Sequence, residues 1–314
     1  MQEGKPKVSI GMISYNQEQF IRQAVLSAVL QDYDALEVIV SDDASRDGTR
    51  EILRELEQAY APRLRVIYNE ANLGITGNAN QVLKACTGEF ICLVGGDDVL
   101  LPGKIKNQVA FMLVHPEAAL SFHDAEVFDS DTDQTLYHYN DGFDVHEGLA
   151  ADIVKRDFIC AGTAMLHRSA LPPHGFDARV PYISDWMLWV DVLAATGKKA
   201  MLMPGVFFRY RKHPQSYTSS NLAQVNYRDL ASALALARQK YPHLSAAVTA
   251  REAELLVLLT VHSVRRRQPL DYSYLRPAWR HLPHLPRGLF LMLHDYRVTL
   301  SKRRLHRSVQ DCQA

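Results

Sequence analysis

Two adjacent carboxylates, Asp97 and Asp98, end the apolar run Phe90-Ile-Cys-Leu-Val-Gly-Gly and precede Val99-Leu-Leu-Pro102. The run reads as a buried strand and Pro102 as the opening of a helix, so the pair lies at a strand's carboxyl end. In open α/β sheets ligands bind outside those ends, and two acids there without a neighbouring Lys or Arg fit a divalent cation carrying phosphates. An acidic turn marked by Gly95-Gly96 is the competing account, because Asp is common in turns. A second acidic pair, Asp42-Asp43, follows Leu36-Glu-Val-Ile-Val40, and Ser14 and Asn16 follow Val8-Ser-Ile-Gly-Met-Ile13. Each has a turn explanation alone; together, a shared pocket at one sheet edge explains them better.

Helices must intervene between these strands to bring the polar residues to one edge. Apolar spacing predicts them over 20–29, 52–59, about 77–85 and 104–115, with a further strand at Leu64–Tyr68 and another at Ala119–Phe122. Such alternation calls for a mostly parallel sheet with right-handed crossovers and both faces covered. Neither GxGxxG nor GxxxxGK[ST] follows a strand, which disfavours a dinucleotide dehydrogenase or a P-loop enzyme. Pyrophosphate would then be neutralised by metal, not by a helix N-terminus alone.

The 314 residues, 47% hydrophobic, provide for one large α/β domain plus an appendage, and the formal net charge of zero gives no global argument for a nucleic-acid partner. Cys86, Cys92, Cys160 and Cys312 show no CxxC spacing, and apolar surroundings mark Cys86 and Cys92 as reduced core thiols. With no signal-peptide pattern at Met1–Lys7 and no apolar run of the roughly 18 to 20 residues needed to span a bilayer, a cytoplasmic location is expected.

Five pieces occur in one order: Ile13-Ser-Tyr-Asn16, Val40-Ser-Asp-Asp-Ala-Ser-Arg-Asp-Gly-Thr49, Asn72-Leu-Gly74 with Asn78 and Asn80, Gly88-Glu-Phe-Ile91, and Gly95-Gly-Asp-Asp98. This ordered set resembles the inverting, nucleotide-sugar-dependent glycosyltransferases of family two, of the bacterial surface-polysaccharide type, from about Val8 to Ser220. The resemblance implies a Rossmann-like glycosyltransferase-A fold over 1–222, with a nucleotide-sugar half to about 115, an acceptor half after it, and a helical appendage over 223–314. It implies that Asp43, with Asp42 beside it, accepts the N3 proton of a uracil or thymine ring, work suited to an acceptor-only carboxylate. Ser14 and Asn16 match the loop around base and ribose, and Asn72 and Asn78 belong to the same donor site. Asp97 looks like the acid that binds ribose, and Asp98 like the ligand of Mn²⁺ or Mg²⁺ on the diphosphate. Many members carry a third acid where Gly95 stands, so metal geometry is the point this departure puts in question.

Ile183-Ser-Asp185-Trp matches the position of the family's base, at a helix start; a simple cap by Ser184 or Asp185 is the structural alternative. Val206-Phe-Phe-Arg-Tyr-Arg211-Lys-His213 resembles the terminal strand and basic loop, where Arg211 and His213 could face the diphosphate and a neutral His213 serve as a further metal ligand. Trp186 and Trp189 fit either an acceptor platform or core packing. The turn-rich span Asp129–Asp144, with Tyr137, His138 and Tyr139, is either an acceptor-facing loop or a solvated connection.

Helices are expected from about Asn226, followed by basic residues from Arg265 to Arg307 mixed with Trp279, Leu289–Leu293 and Tyr296. That mixture suits either an amphipathic surface lying on anionic lipid at the inner face of the cytoplasmic membrane or a solvated helical tail. No nucleic-acid module accompanies it. The expected reaction is transfer from a UDP- or dTDP-sugar to a glycan or glycolipid hydroxyl. A catalytically silent scaffold subunit and a sugar nucleotidyltransferase are the alternatives.

Overall fold

The computed structural model describes residues 4–142, 146–216 and 223–266. The basic segment expected to meet lipid, and Cys312, lie outside the described residues apart from Arg265 and Arg266 at the end of the last helix.

The first half winds strand and helix alternately: β1 (Val8–Ser14), α1 (Ile21–Val29), β2 (Leu36–Asp42), α2 (Thr49–Tyr60), β3 (Leu64–Tyr68), α3 (Gly74–Ala85) and β4 (Phe90–Gly95). The short β5 (Val99–Leu100) leads to α4 (Lys104–Val114). The second half contributes β6 (Ala118–Asp129), β7 (Thr135–His138), β8 (Glu147–Gly148), α5 (Ala150–Lys155), β9 (Met165–His167), α6 (Ser184–Thr196) and β10 (Lys199–Lys212). Two helices, α7 (Ala223–Lys240) and α8 (Ser245–Arg266), follow.

All ten strands form one sheet of order β3-β2-β1-β4-β9-β6-β10-β5, with β7 beside β6 and β8 beside β10. Neighbours β3, β2, β1 and β4 run parallel, as do β6 and β10, whereas short β9 is antiparallel to both β4 and β6. β1, β2 and β4 are buried along most of their length, so their Val, Ile and Met side chains cover both faces of a central sheet. On one face Ile21, Val25, Leu53, Leu56, Ile105 and Met112 of α1, α2 and α4 close a core. On the other, Val82 of α3, Ile153 of α5, Leu188 of α6, Leu234 of α7 and Val248 of α8 share a second one. The C-terminal helix pair is therefore continuous with the core that backs α6, which carries Asp185.

The span 129–142 contains the strand β7, paired antiparallel with β6, instead of a bare connection. Cys86, Cys92 and Cys160 are free and buried, and burial pushes the Cys86 thiol up to about 12, where it stays protonated. No described helix is long and apolar enough to cross a membrane.

Candidate active site

The carboxyl ends of β1, β2 and β3 are stitched together before any ligand is considered. Asp43 N donates to Ser14 O at 2.8 Å, Asn16 N to Ser45 Oγ at 2.9 Å, and Arg46 N to Asn16 Oδ1 at 2.8 Å. The loop holds Asn16 at φ 51°, a left-handed geometry that Asn tolerates better than most residues. Asn78 Nδ2 donates to Ser41 O at 3.0 Å, and its Oδ1 accepts from Asn69 Nδ2 at 3.0 Å, bracing α3 against the tips of β2 and β3. Asp43 receives Leu73 N at 2.8 Å and Gly74 N at 3.0 Å, both at the start of α3. Gly74 has φ 73°, which a residue with a Cβ adopts only under strain, so glycine lets this amide turn toward the carboxylate.

These loops line a first cavity of about 970 Å³ in which Ser14, Asn16, Asp43, Asn72, Asn78, Asp97 and His213 all take part. Ser14 Oγ is buried there without a partner among the described residues, a group whose hydrogen bond a ligand would supply. Asp42 points elsewhere: fully buried, its carboxylate is held by Arg50 and by Ser45 N at 3.1 Å, and it does not line this cavity. Two consecutive acids on a strand end face opposite sides, so one serves the fold and the other the pocket.

A second cavity of about 530 Å³ adjoins the first, the two sharing Ile13, Ile75, Gly95 and Tyr182. The acidic pair divides at this junction, Asp97 lining the first space and Asp98 the second. A Cβ at Gly95 would lie 2.6 Å from Asp97 Oδ1 and 3.3 Å from Asp98 Oδ2, so the absent side chain leaves room for both carboxylates to fold over that residue. Asp98 accepts Arg211 N at 2.9 Å, and Asp97 Oδ2 sits 3.1 Å from His213 Nε2. Burial and then the charge of Asp97 raise Asp98 well above the usual carboxylate range, against the pull of Arg211.

Residues Arg211 and Lys212 face opposite ways, as adjacent strand residues must. The Arg211 guanidinium is wedged between Phe20 and Phe128, 4.9 and 4.7 Å from their ring centres, and donates to Asp97 O at 2.6 Å. It lines neither cavity and holds the acidic turn from behind. Lys212 enters the second cavity with Tyr210, two residues before it, and burial lowers its ammonium pKa against the pull of Asp98.

Asp185 lies in the first turn of α6 and lines the second cavity; its Oδ1 accepts Trp186 N at 2.8 Å. Burial raises its pKa above the ordinary value. Trp186 and Trp189 are both buried and both line this space, Trp186 donating its indole N–H to Ile153 O at 3.0 Å. Tyr137 and Tyr139 line it as well, whereas His138 does not. Three charged lining residues had no sequence signal of their own: Asp157, Lys212 and Arg251, the last from α8.

Among the described residues no three His, Cys, Asp or Glu side chains form a ready metal cluster. The chemistry of the donors at the junction is of the kind that could hold Mn²⁺ or Mg²⁺ if phosphate oxygens and water completed the shell: Asp97, Asp98 with a raised pKa that a cation would lower, and His213, whose Nδ1 is buried without a partner among the described residues.

The fold is that of a glycosyltransferase-A protein. The model of the family "Glycosyl transferase family 2" matches residues 9–173, and the chain belongs to that family. It is 33% identical over 218 residues to the uncharacterized protein Rv1520 of Mycobacterium tuberculosis, covering 66% of this chain and 59% of that protein. To WfgD of Escherichia coli, named a UDP-Glc:α-D-GlcNAc-diphosphoundecaprenol β-1,3-glucosyltransferase, it is 26% identical over 220 residues, or 69% and 82% of the two chains. The structure of S. aureus TarS 1–349 in complex with UDP-GlcNAc superposes with a TM-score of 0.66 at 17% identity, covering 97% of this chain and 90% of that one.

Proposed function

We propose that this chain is an inverting glycosyltransferase that moves a sugar from a UDP- or dTDP-sugar to a hydroxyl of a glycan or lipid-linked glycan. The observation that carries the reading is the meeting of the two cavities at Gly95, with Asp43 and Asp97 lining one and Asp98 and Asp185 the other. In that arrangement a nucleoside diphosphate occupies the first cavity, and its sugar projects past Asp98 toward Asp185. Asp43 accepts the N3 proton of the base, Ser14 Oγ and Asp97 meet the ribose, and Asn72 and Asn78 keep the loop in shape.

The carboxylate of Asp185 accepts the proton of the acceptor hydroxyl as its oxygen attacks the anomeric carbon from the face opposite the diphosphate. Its surroundings suit the task, since a desolvated base is stronger than a solvated one. Asp98, with Asp97 and His213 beside it, would hold Mn²⁺ or Mg²⁺, which when bound supplies Lewis-acid stabilisation of the departing diphosphate. The names of the relatives support the chemistry: WfgD is named for UDP-Glc and a lipid diphosphate acceptor, and TarS was solved with UDP-GlcNAc. A lipid-linked acceptor would put the enzyme in the cytoplasm or at the inner face of its membrane.

Hydrolysis of a panel of UDP- and dTDP-sugars, with and without Mn²⁺, tests the reading. Turnover of at least one donor is expected, stimulated by the metal. Absence of turnover under both conditions, together with no binding of UDP, rejects it.

A further inference from the structure

Asp157 is the one carboxylate of the second cavity that the proposed reaction leaves without a task. It follows α5 on the short segment before β9, lines the cavity with Asp98 and Asp185, and accepts the Ile159 amide at 3.2 Å. No ion pair to Asp157 forms among the described residues; the cation nearest in effect is Arg251 of α8, whose Nη1 is bonded to Glu254 at 2.5 Å. A half-buried carboxylate without a salt bridge among the described residues has room for a hydrogen-bond donor from a ligand. Desolvation and the charge of Asp185 push it up to about 7.

The rest of the cavity names the donor's chemistry. Its walls carry Tyr139, Tyr210, Trp186 and Trp189, flat apolar faces of the kind that stack on the C–H face of a sugar ring. Its volume of about 530 Å³ falls within the range of small-molecule sites and has room for a pyranose. Aromatic side chains that share a cavity with three acids, Asp98, Asp157 and Asp185, and two bases, Lys212 and Arg251, fit a neutral polyol, whose hydroxyls can donate to the acids and accept from the bases.

We propose that the second cavity is a pyranose subsite in which Asp157 receives a hydroxyl of the sugar ring held beside Asp185, fixing which ring is accepted. This rests on the glycosyl-transfer reading above. The ring is either the donor's own sugar or the acceptor's, and the two are separated by experiment.

The substitution Asp157→Asn keeps the side-chain shape and removes the charged acceptor. Binding of UDP, UDP-glucose, UDP-galactose and UDP-GlcNAc is measured by calorimetry for wild type and variant. The Michaelis constant is measured for alkyl-linked glucosyl, galactosyl and N-acetylglucosaminyl diphosphates. If the donor's sugar is held, the variant binds one UDP-sugar about tenfold more weakly while its affinity for UDP is unchanged, a loss typical of a charged hydrogen bond. If the acceptor's ring is held, all UDP-sugar affinities are unchanged and the Michaelis constant for one glycosyl diphosphate rises about tenfold. UDP-sugar affinities and Michaelis constants all within twofold of wild type overturn the proposal, as does a parallel loss of UDP affinity, which reports a distorted fold. Failure of wild type itself to bind UDP counts against glycosyl transfer as a whole, not against Asp157 alone.

Discussion

Asp229 Oδ2 accepts the backbone amide of Ile183 at 2.7 Å and that of Tyr182 at 3.0 Å, so a carboxylate of α7 holds the residues immediately before the helix that carries Asp185. α6 has no side-chain cap of its own, and Asp229 supplies acceptors at its entrance from another helix. Asp229→Ala should lower stability by about 1–3 kcal/mol in urea unfolding, because two amides lose their partner. It should also reduce kcat for sugar transfer by more than it changes the affinity for UDP, since Asp229 acts on the entrance of α6, from which only Tyr182 reaches the first cavity. Asp229→Asn, which keeps an acceptor oxygen, should recover most of both losses.

Strands β1, β2 and β4 were legible because each is a mostly apolar run that ends in polar residues, and the site residues Asp43, Asp97, Asp98 and Asp185 lie at such ends or at a helix start. β7 was not, since its four residues, Thr135–His138, are partly exposed and carry no alternation long enough to register. The start of β10 was hidden by Pro204-Gly205, where register shifts allow the strand to continue past residues that ordinarily end one. Arg211 was expected at the diphosphate, but which face of β10 meets a cavity is set by the fold, which turns the guanidinium behind the acidic turn and brings Lys212 into the second cavity. Asp157 and Arg251 reach the cavity from distant segments with no motif around them, which only tertiary contact reveals.

Removal of the proposed base should separate chemistry from binding. Asp185→Asn is expected to leave UDP affinity within about twofold and to lower kcat by about 10²–10⁴, the usual worth of general base catalysis. Equal losses of binding and turnover would identify Asp185 as a helix cap only. In wild type the base works deprotonated, and burial raises its pKa; the acid limb of kcat against pH should therefore lie above the ordinary carboxylate value of about 3.9. Rate should fall as pH drops through that limb.

Asp42 and Asp43 should respond differently although they are neighbours. Arg50→Met leaves the buried Asp42 carboxylate without its ion pair, and breaking such a pair costs about 3–5 kcal/mol. Urea unfolding should record that loss while the folded protein keeps its UDP affinity. Asp43→Ala should instead abolish measurable UDP binding, because it removes the carboxylate that faces the first cavity and the anchor of the α3 amides.

The acid pair itself predicts a trade of stability for function. Asp98 is held in a buried place beside Asp97, where ionisation is unfavourable without a compensating cation. Asp98→Asn should therefore leave the melting temperature of the metal-free protein unchanged or higher, while Mn²⁺ no longer stimulates donor hydrolysis. Wild-type stimulation by Mn²⁺ in the variant would remove Asp98 from the metal site.

The charge on Asp157 should be visible in the pH dependence of stability. Its carboxyl titrates near 7 in the folded protein and near the ordinary 3.9 in the unfolded chain, so between those values the folded state binds the extra proton. Stability from this group is present below about pH 4 and is lost as pH rises through 7, at up to about 1.4 kcal/mol per pH unit. Urea unfolding of wild type and Asp157→Asn at intervals from pH 4 to 8 reads out this group together with its charge coupling to Asp185, because titrations remote from the cavity are common to the two proteins. The difference between them should grow with pH in favour of the variant and level off above pH 7. A difference that stays flat across the range would mean that Asp157 titrates as an ordinary solvated acid, and that its place in the cavity carries no desolvation cost for a sugar hydroxyl to offset.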